Sequence, residues 1–470
     1  MKIEQIYTGC LAQGAYYIES NGEVAIIDPL REVQSYLDKA NRDNAKVKYI
    51  FETHFHADFV SGHVTLAEKT GAEIIYGPGA KTNFDSTEAT DGQVFKLGNI
   101  TITVLHTPGH TMESSTFLLK DENGKDHAIF TGDTLFLGDV GRPDLAQKMG
   151  SITIDDLAGF LFDSLRTKIM PLADDVIVYP AHGAGSACGK NMMKETVDTL
   201  GNQKSMNYAL RADMTKEEFI KELTDGLLPP PAYFPLNVKL NKEGYQDIEK
   251  VIARGQHALS PKAFEVAANE TDAVVLDVRH QDEFAAGHVP RSIFIGLNGA
   301  FAPWVGALIK DVNQSILLVV EKEKLKEAIT RLSRVGFDNV LGYLDGGIEA
   351  WKSAGKELDK VSAITASALK DVITSNADTK VVDVRKASEY LSEHIISAEN
   401  FPLSEINEYL AELPTGEDFY VHCKGGYRSM IASSILKSRG VHNLIDVKEG
   451  FDAIKEADIA VSNFVCPTTL

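Results

Sequence analysis

The chain has few cysteines and no long apolar run. Its four cysteines, in 470 residues, stand at positions 10, 188, 423 and 466 without paired spacing. This excludes a disulfide framework and favours a reducing compartment, where a thiol can be kept for chemistry. No segment reaches the roughly 18 consecutive apolar residues that span a membrane, and no apolar stretch follows a basic N-terminus. We therefore expect a cytoplasmic protein.

Positive charge is scarce relative to negative charge. The chain has 47 Lys and Arg against 67 Asp and Glu, which gives a formal net charge of −20. Nucleic acid and anionic membranes would be repelled, so neither is expected as a partner. Hydrophobic residues make up 44% and charged residues 24%, as in ordinary globular proteins. A chain of 470 residues exceeds a single core, so roughly two to four domains are expected.

Ligand-type residues follow four separate β-rich runs. The apolar segment 47–51 leads into THFHADF, residues 53–59. The other three runs lead into TPGHT, FTGDTLF and YPAHGAG, which contain His110, Asp133 and His182. Imidazole and carboxylate groups are common metal donors, and a strand end fixes where they point. One His-x-His pair would be compatible with a surface pair, but four such segments favour a metal site.

This ordered set resembles the metallo-β-lactamase superfamily over about the first 245 residues. The finer match is to persulfide dioxygenases, through HADF-x-SG, TPGHT and GDVGRPDL at residues 138–145. The resemblance implies an αββα sandwich with its metal site at the strand ends, between the two sheets. Phe59 departs from the binuclear hydrolases of the superfamily, which carry a metal-binding His at that position.

The resemblance therefore implies a single metal ion, held by His54, His110 and Asp133. Two His and one carboxylate with open coordination positions are typical of non-heme Fe(II) sites that use O₂. We predict one Fe(II) per chain. The remaining donors are expected to orient these ligands or to bind water; they are His56, Asp58 and His182. A purely structural hydrogen-bond role for Asp58 stays open.

A proline-rich segment precedes an internal repeat. GLLPPPAYFP, residues 226–235, is incompatible with a helix interior or a central strand. Further on, the sequence DVR and the Glu and His that follow it in 277–288 recur in 383–394, 106 positions later. Each copy alternates apolar strands with helical segments, which predicts a parallel α/β sheet. The predicted domains are 1–245, 255–360 and 362–470.

The second copy places a cysteine at a strand-to-helix turn. The apolar strand 419–421 leads into HCKGGYRS, which contains Cys423 and is followed by a helix-like run. Free backbone N–H groups and the positive end of a helix dipole stabilise a thiolate there and bind anions. Arg428 either closes the loop or binds an anion. The predicted anion and substrate contacts around the cysteine are Lys424, Gly425, Gly426, Tyr427 and Ser429.

This region resembles the rhodanese family, through a cysteine loop that ends in Arg and the DVR signature before it. The resemblance implies that Cys423 accepts a sulfane sulfur as a persulfide and passes it on, while Arg428 stabilises anions. An arsenate-reductase-like or phosphatase-like use of the loop is a lesser rival. The first copy has Glu321 near the place of the cysteine and no glycines after it, so we expect it to be inactive.

Other polar residues have two interpretations each. Arg142, a predicted substrate contact, either reaches the substrate or forms a loop-holding ion pair with Asp144. Cys188 either handles persulfide or, as we favour, packs beside a glycine-rich turn. Lys204 and Arg211 either contact substrate or belong to a solvated helix face.

The whole chain resembles bacterial persulfide dioxygenase–rhodanese fusions, in which an inactive rhodanese copy lies between two active modules. The expected fold class is α/β, an αββα sandwich followed by two small parallel-sheet domains. The resemblance implies oxidation of a thiol persulfide by O₂ to sulfite, with sulfane sulfur moved through Cys423 to form thiosulfate or in reverse, in sulfide detoxification. The alternatives are a glyoxalase II-like thioester hydrolase, which needs two metal ions, and a regulatory sulfur sensor. The carrier thiol, the direction of sulfur flow and homo-oligomer formation stay open.

Overall fold

The structure is a computed structural model that describes residues 1–145, 152–227 and 229–466. It divides into two compact units. The first unit contains Met1–Lys250 and Leu332–Phe337, and the second contains Val251–Arg331 and Asp338–Leu470. The three predicted domain boundaries are not resolved by this division and stay a prediction.

Two six-stranded sheets form the first unit, and each is paired in sequence order. The first sheet consists of β1 (Lys2–Thr8), β2 (Gln13–Ser20), β3 (Glu23–Ile27), β4 (Lys46–Phe51), β5 (Glu73–Tyr76) and β6 (Thr87–Glu88). The second consists of β7 (Val94–Leu97), β8 (Ile100–His106), β9 (Ser115–Lys120), β10 (Asp126–Gly132), β11 (Ile177–Pro180) and β12 (Asp198–Thr199). Strands β3, β4 and β5 are parallel neighbours, so their carboxyl ends lie at the same edge of the sheet.

Helices cover the outer faces of these sheets. The helices of the first unit are α1 (Gln34–Arg42), α2 (His63–Thr70), α3 (Ile154–Ser164), α4 (Leu200–Met206), α5 (Lys216–Thr224) and α6 (Phe234–Glu243). Helix α7 (Ile248–Gly255) begins in the first unit and continues into the second. Thr153 and Thr215 fix the starts of α3 and α5 through capping boxes with Asp156 and Glu218. No helix of the described part of the chain is long and apolar enough to cross a membrane.

Apolar side chains fill three layers of the first unit. Between the sheets lies a buried cluster formed by side chains of both, in which the ring centroids of Phe51 and Phe117 are 4.8 Å apart. Tyr36 of α1 belongs to a second cluster on the outer face of the first sheet, and Leu161 of α3 to a third on the second sheet. Burying each such side chain stabilises the fold by about 1.5–3 kcal/mol. The predicted αββα sandwich is confirmed.

The second unit holds two five-stranded parallel sheets with the same strand order. In the first copy, β13 (Ala258–Leu259), β14 (Val274–Asp277), β15 (Ile293–Phe294), β16 (Ile316–Val319) and β17 (Val340–Leu344) are ordered 13-17-16-14-15. In the second copy, β18 (Ser362–Ile364), β19 (Lys380–Asp383), β20 (Ala398–Asn400), β21 (Phe419–His422) and β22 (Leu444–Val447) are ordered 18-22-21-19-20. The predicted pair of small parallel α/β copies is confirmed.

Helices connect these parallel strands. They are α8 (Pro261–Glu270), α9 (Gln281–Ala286), α10 (Phe301–Leu308), α11 (Leu325–Arg334), α12 (Gly347–Ser353), α13 (Ala366–Ser375), α14 (Ala387–Ser392), α15 (Tyr427–Ser438) and α16 (Gly450–Glu456). Helix α15 is buried along most of its length, including Ile431 and Leu436. A helix that is buried on all sides needs partners around it. Its partners include β21 and β22 of its own copy and β15 of the first copy.

Candidate functional site

Loops after four strands of the first unit bring six donor side chains together. Strand β4 precedes two histidines and an aspartate, while β8, β10 and β11 each precede one further donor. The first donor group is His54, His110 and Asp133, and the second is His56, Asp58 and His182. Within each group the donor atoms lie within 4.8 Å of one another, and all six residues are buried.

The first donor group is arranged around one carboxylate oxygen. Nε2 of His110 lies 3.4 Å and Nε2 of His54 lies 3.9 Å from Oδ2 of Asp133. The opposite ring nitrogens are engaged, since Nδ1 of His110 is 2.8 Å from the Arg142 carbonyl and Nδ1 of His54 is 3.0 Å from Thr53 Oγ1. These contacts orient both rings so that Nε2 is directed at the shared carboxylate.

The donors of this group fit a divalent cation. Both carboxylate oxygens of Asp133 are buried and have no hydrogen-bond partner among the described residues. Such a state is costly unless a cation neutralises it. Burial lowers the pKa of His54 well below its usual value, and the neighbouring imidazoles lower it further. His54 is therefore neutral at neutral pH, which is the form that binds a metal.

The second donor group approaches the first through His182. Nε2 of His182 lies 3.4 Å from Oδ2 of Asp58 and 3.7 Å from Oδ1 of Asp133. Nδ1 of His182 lies 3.2 Å from the carbonyl oxygen of Ala12, a residue held at the left-handed φ of 49°. A non-glycine residue in that conformation is strained. The backbone conformation that directs this carbonyl at His182 therefore has an energetic cost.

His56 has acidic partners that the sequence analysis missed. Its Nε2 lies 3.0 Å from Asp28 Oδ1 and 3.5 Å from Glu52 Oε2, and all three side chains are buried. Burial alone would lower the pKa of His56, but these carboxylates outweigh it and raise the pKa to about 9. Phe59 packs its ring 4.4 Å from that of His56, at the position where binuclear hydrolases carry a metal-binding His. The motif IIDP places Asp28 directly after β3, and this strand-end position was the signal for a further acidic residue near the site.

A cavity of about 400 Å³ opens beside His110. Its walls include the apolar side chains of Phe55 and Leu145, and its lining also includes Lys81 and Lys242. The lining therefore combines apolar walls with two cationic groups and one acid, Glu113. Neither lysine was singled out from the sequence.

Arg142 is engaged within its own loop. Its Nε and Nη2 atoms donate to the two carboxylate oxygens of Asp144 at 3.0 and 2.6 Å. Lys204 and Arg211 also form ion pairs with neighbouring Asp side chains, at 2.7 and 2.8 Å. The pair with Asp144 favours the loop-holding interpretation of Arg142, and contact of Arg142 with substrate stays a prediction.

Cys188 lies beside the donor groups. Its Sγ is within 4.8 Å of donor atoms of Asp133 and His182. Burial raises the pKa of this thiol to about 12, so it is protonated at neutral pH. Its part in persulfide chemistry stays open.

The cysteine loop, residues 423–428, is enclosed by two helix N-termini. The Gly426 amide, just before α15, donates to Sγ of Cys423 at 3.2 Å. At the start of α16, the amides of Phe451 and Asp452 donate to the carbonyls of Cys423 and Lys424 at 2.7 and 3.2 Å. The positive ends of both helices thus face this loop, and the Gly426 amide contacts the sulfur itself.

The other predicted contact residues of the loop differ in their exposure and in their hydrogen bonds. Lys424 and Gly425 are exposed on the outer side of the loop. The Ser429 hydroxyl donates to the Gly426 carbonyl at 3.1 Å, and the Tyr427 hydroxyl donates to a backbone carbonyl of the first copy. Their contacts with substrate stay predictions.

Arg428 is paired with an acid of its own copy. Its Nη1 and Nη2 atoms donate to the two carboxylate oxygens of Glu389 at 2.6 and 2.9 Å. Burial raises the pKa of Glu389, but the Arg428 charge outweighs this and the net pKa is lowered. In the sequence, Glu389 is recognisable only as the Glu that recurs in the repeat. At the corresponding place, the first copy has the exposed Glu321 followed by a short 3₁₀ helix, Lys322–Lys324.

Two family profiles match the chain. The profile described as the metallo-beta-lactamase superfamily matches residues 8–182. The profile of the rhodanese-like domain matches twice, at residues 260–354 and 365–457.

The chain is also similar to individual proteins, both in sequence and in structure. The chain is 30% identical over 213 residues to hydroxyacylglutathione hydrolase GloC of Haemophilus influenzae, covering 40% of this chain and 94% of the relative. It is 28% identical over 229 residues to the human mitochondrial persulfide dioxygenase ETHE1, covering 47% of this chain and 78% of the relative. A crystal structure of a metallo-beta-lactamase from Staphylococcus aureus superposes with a TM-score of 0.64 at 30% identity, over 73% of this chain and 98% of the other.

Proposed function

Because this chain belongs to the metallo-β-lactamase superfamily and continues into two rhodanese-like domains, we propose that it is a persulfide dioxygenase fused to a sulfurtransferase. The proposed domains are 1–245 for the oxygenase, 255–360 for an inactive rhodanese copy and 362–470 for the active copy. The proposed role is sulfide detoxification. A cytoplasmic location is proposed with it, which the small number of cysteines supports.

The proposal is carried by the first donor group. Two buried imidazoles and one buried carboxylate converge, and the carboxylate oxygens of Asp133 have no hydrogen-bond partner among the described residues. An Fe(II) ion held by His54, His110 and Asp133 would supply the activation of O₂. The oxidation balances as R-S-SH + O₂ + H₂O giving R-SH, sulfite and two protons. The chain's own residues bind and orient the persulfide for this step.

The cavity beside His110 supports a substrate of this kind. Phe55 and Leu145 exclude water from the sulfur end, while Lys81 and Lys242 attract an anionic persulfide and its carrier. Lys81 is ion-paired with Glu88, so Lys242 is the cation to which we assign the carrier contact.

Cys423 is proposed to carry sulfane sulfur as Cys-S-SH. Sulfite attacks the outer sulfur, the S–S bond breaks, and thiosulfate leaves while Cys423 departs as a thiolate. The Gly426 amide, 3.2 Å from Sγ, donates to that thiolate. Arg428, fixed by Glu389, keeps a positive charge beside the loop for the incoming anion.

A thioester hydrolase is the second candidate. The 30% identity to a hydroxyacylglutathione hydrolase and the second donor group of His56, Asp58 and His182 both favour it. Such an activity in this superfamily needs two metal ions, and Phe59 stands where the second ion would have a His ligand.

One experiment separates the two candidates. Full-length protein is prepared anaerobically, its metals are counted, and O₂ uptake with glutathione persulfide is measured beside hydrolysis of S-lactoylglutathione. We expect one iron per chain and O₂ uptake that Asp133→Asn abolishes. Cys423→Ser should retain O₂ uptake and lose thiosulfate formation. Two metal ions per chain with thioester hydrolysis and no O₂ uptake would overturn the dioxygenase proposal.

A further inference from the structure

The cysteine loop is supported from two directions. On one side, α16 of its own copy binds the carbonyls of Cys423 and Lys424. A Cβ at Gly450 would lie 2.4 Å from the Cys423 carbonyl oxygen, so this contact is as close as a glycine permits. On the other side lies the first copy, which has no cysteine of its own at this place.

Tyr427 connects the loop to the first copy. Its hydroxyl donates to the Gly296 carbonyl at 2.6 Å, and its ring meets Phe294 edge-on with centroids 5.8 Å apart. A Cβ at Gly299 would lie 2.4 Å from Cζ of Tyr427, so the ring rests directly on the backbone of this glycine. We call Phe294, Gly296 and Gly299 the tyrosine seat.

The tyrosine seat is itself held in place. The Arg331 guanidinium donates from Nη1 to the Leu297 carbonyl at 2.8 Å, within the segment that forms the seat. The Phe294 amide donates to Oγ of Ser434 at 2.9 Å, and this residue lies about two helical turns along α15 from Tyr427. The first copy therefore contacts α15 at two points, Tyr427 and Ser434, and these two contacts together fix the orientation of the helix.

The position of α15 decides how well its amides reach the sulfur. Gly426, with a left-handed φ of 88°, and Gly425 beside it leave the loop with much backbone freedom of its own. The Gly426 amide contacts Sγ immediately before Tyr427 begins the helix. A shift of Tyr427 would therefore move the donors that stabilise negative charge on Cys423.

We propose that the inactive first copy positions the cysteine loop of the second copy, and that Tyr427 is the positioning residue through which it acts. The inference rests on the proposed sulfur transfer at Cys423. This role requires no catalytic activity of the first copy. That is consistent with its sequence, which has Glu321 near the position that corresponds to Cys423.

The test compares two tyrosine-to-phenylalanine variants of the full-length protein. Tyr427→Phe keeps the ring in the seat and removes the hydrogen bond to the first copy. The matched control is Tyr390→Phe, because the Tyr390 hydroxyl also donates to a carbonyl at 2.6 Å, that of Ala398, but within the second copy. Alkylation of Cys423 by iodoacetamide is followed across pH, with the peptide that contains it read by mass spectrometry.

We expect Tyr427→Phe to move the alkylation profile to higher pH and to slow alkylation at pH 7 by about threefold. Gly299→Ala, whose methyl group would displace the ring, should shift the profile further. Tyr390→Phe should match the wild type. Tyr427→Phe with the profile of Tyr390→Phe would overturn the inference, and this pair decides the matter even if Gly299→Ala does not fold.

Failure of the proposed sulfur transfer would give a different combination of results from failure of the positioning role. Alkylation needs no sulfur substrate, so it reports on the access to the buried Cys423 thiol and on its thiolate character, whatever the transfer chemistry. A wild type that forms no thiosulfate, with a shifted Tyr427→Phe profile, would contradict sulfur transfer and leave the positioning role intact. Thiosulfate formation with an unshifted profile would contradict the positioning role only.

Discussion

Arg428 and Glu389 form a two-point ion pair, with nitrogen–oxygen distances of 2.6 and 2.9 Å. Glu389 belongs to α14, so the arginine of the cysteine loop is fixed by its own copy before any ligand arrives. A preset arginine loses less freedom when an anion binds than a mobile one would. The acid is thus part of the loop's architecture.

Replacing this acid should damage sulfur transfer selectively. In Glu389→Gln we expect several-fold slower thiosulfate formation, unchanged persulfide-dependent O₂ uptake and a loss of about 1 kcal/mol in urea unfolding, since the pair is partly exposed. The matched control is Glu393→Gln, which breaks the 2.6 Å pair with Lys455 on the same copy. If both variants formed thiosulfate at the same rate, the assigned role of Glu389 would be wrong.

Asp133 should destabilise the metal-free protein. Its two oxygens are buried without hydrogen-bond partners among the described residues, which costs free energy until a cation binds. In the chelated state, Asp133→Asn should therefore be more stable than the wild type, by about 1–3 kcal/mol. With metal present the order should reverse, because only the wild type gains binding energy.

Thermal unfolding with and without chelator checks this crossover. His127→Ala serves as control, since His127 lies on β10 but belongs to neither donor group. Equal chelator-induced shifts in the Asp133→Asn variant and the wild type would show that Asp133 does not hold the metal.

Asp446 should make the second unit sensitive to pH. The pKa of Asp446 is raised to about 7, because burial and the charge of Asp282 together outweigh the opposing effects of Ser429 and Lys448. An acid with a raised folded-state pKa stabilises the fold fully below its unfolded pKa of about 4, and this stability is lost as pH rises through about 7.

Asp446→Asn should then gain stability over the wild type between pH 4 and pH 8, by about 2–4 kcal/mol at the upper end. Urea unfolding at a series of pH values measures the difference, with the exposed Asp452→Asn as control. A constant difference across this range would contradict the assignment.

Phe59 should limit the number of metal ions. Its ring lies 4.4 Å from that of His56, beside donors that also include Asp58 and His182. Phe59→His supplies the imidazole that binuclear members carry there, so we expect metal stoichiometry to rise from about one to about two ions per chain. Phe59→Leu controls for the loss of the ring. An unchanged stoichiometry in Phe59→His would show that other features exclude the second ion.

The strand-end rule explains why the donor residues could be found from the sequence. His54, His110, Asp133 and His182 each follow a β-rich run, and the structure places their donor atoms in the two groups. The sandwich and the paired copies followed in the same way from motifs and from the repeat. These signals are local, because each is contained in a short segment or in the comparison of two segments.

Which partners these residues meet depends on pairing between strands, and no short segment encodes that pairing on its own. Asp28 and Glu52 meet at His56 because Ile27 and Phe51, the residues before them, are paired between β3 and β4. The contact between Tyr427 and Gly296 joins segments 131 residues apart in two separate sheets. No periodicity in either segment encodes such a contact.

The tyrosine seat also has a consequence for biosynthesis. Phe294, Gly296 and Gly299 precede Tyr427 in the chain, so they leave the ribosome first. Because domains generally fold as units from the N-terminus during synthesis, the first copy can be complete before the cysteine loop is translated. The cysteine loop is then synthesised when its template, the folded first copy, is already present. Moving the first copy behind the second by circular permutation would take that template away during translation.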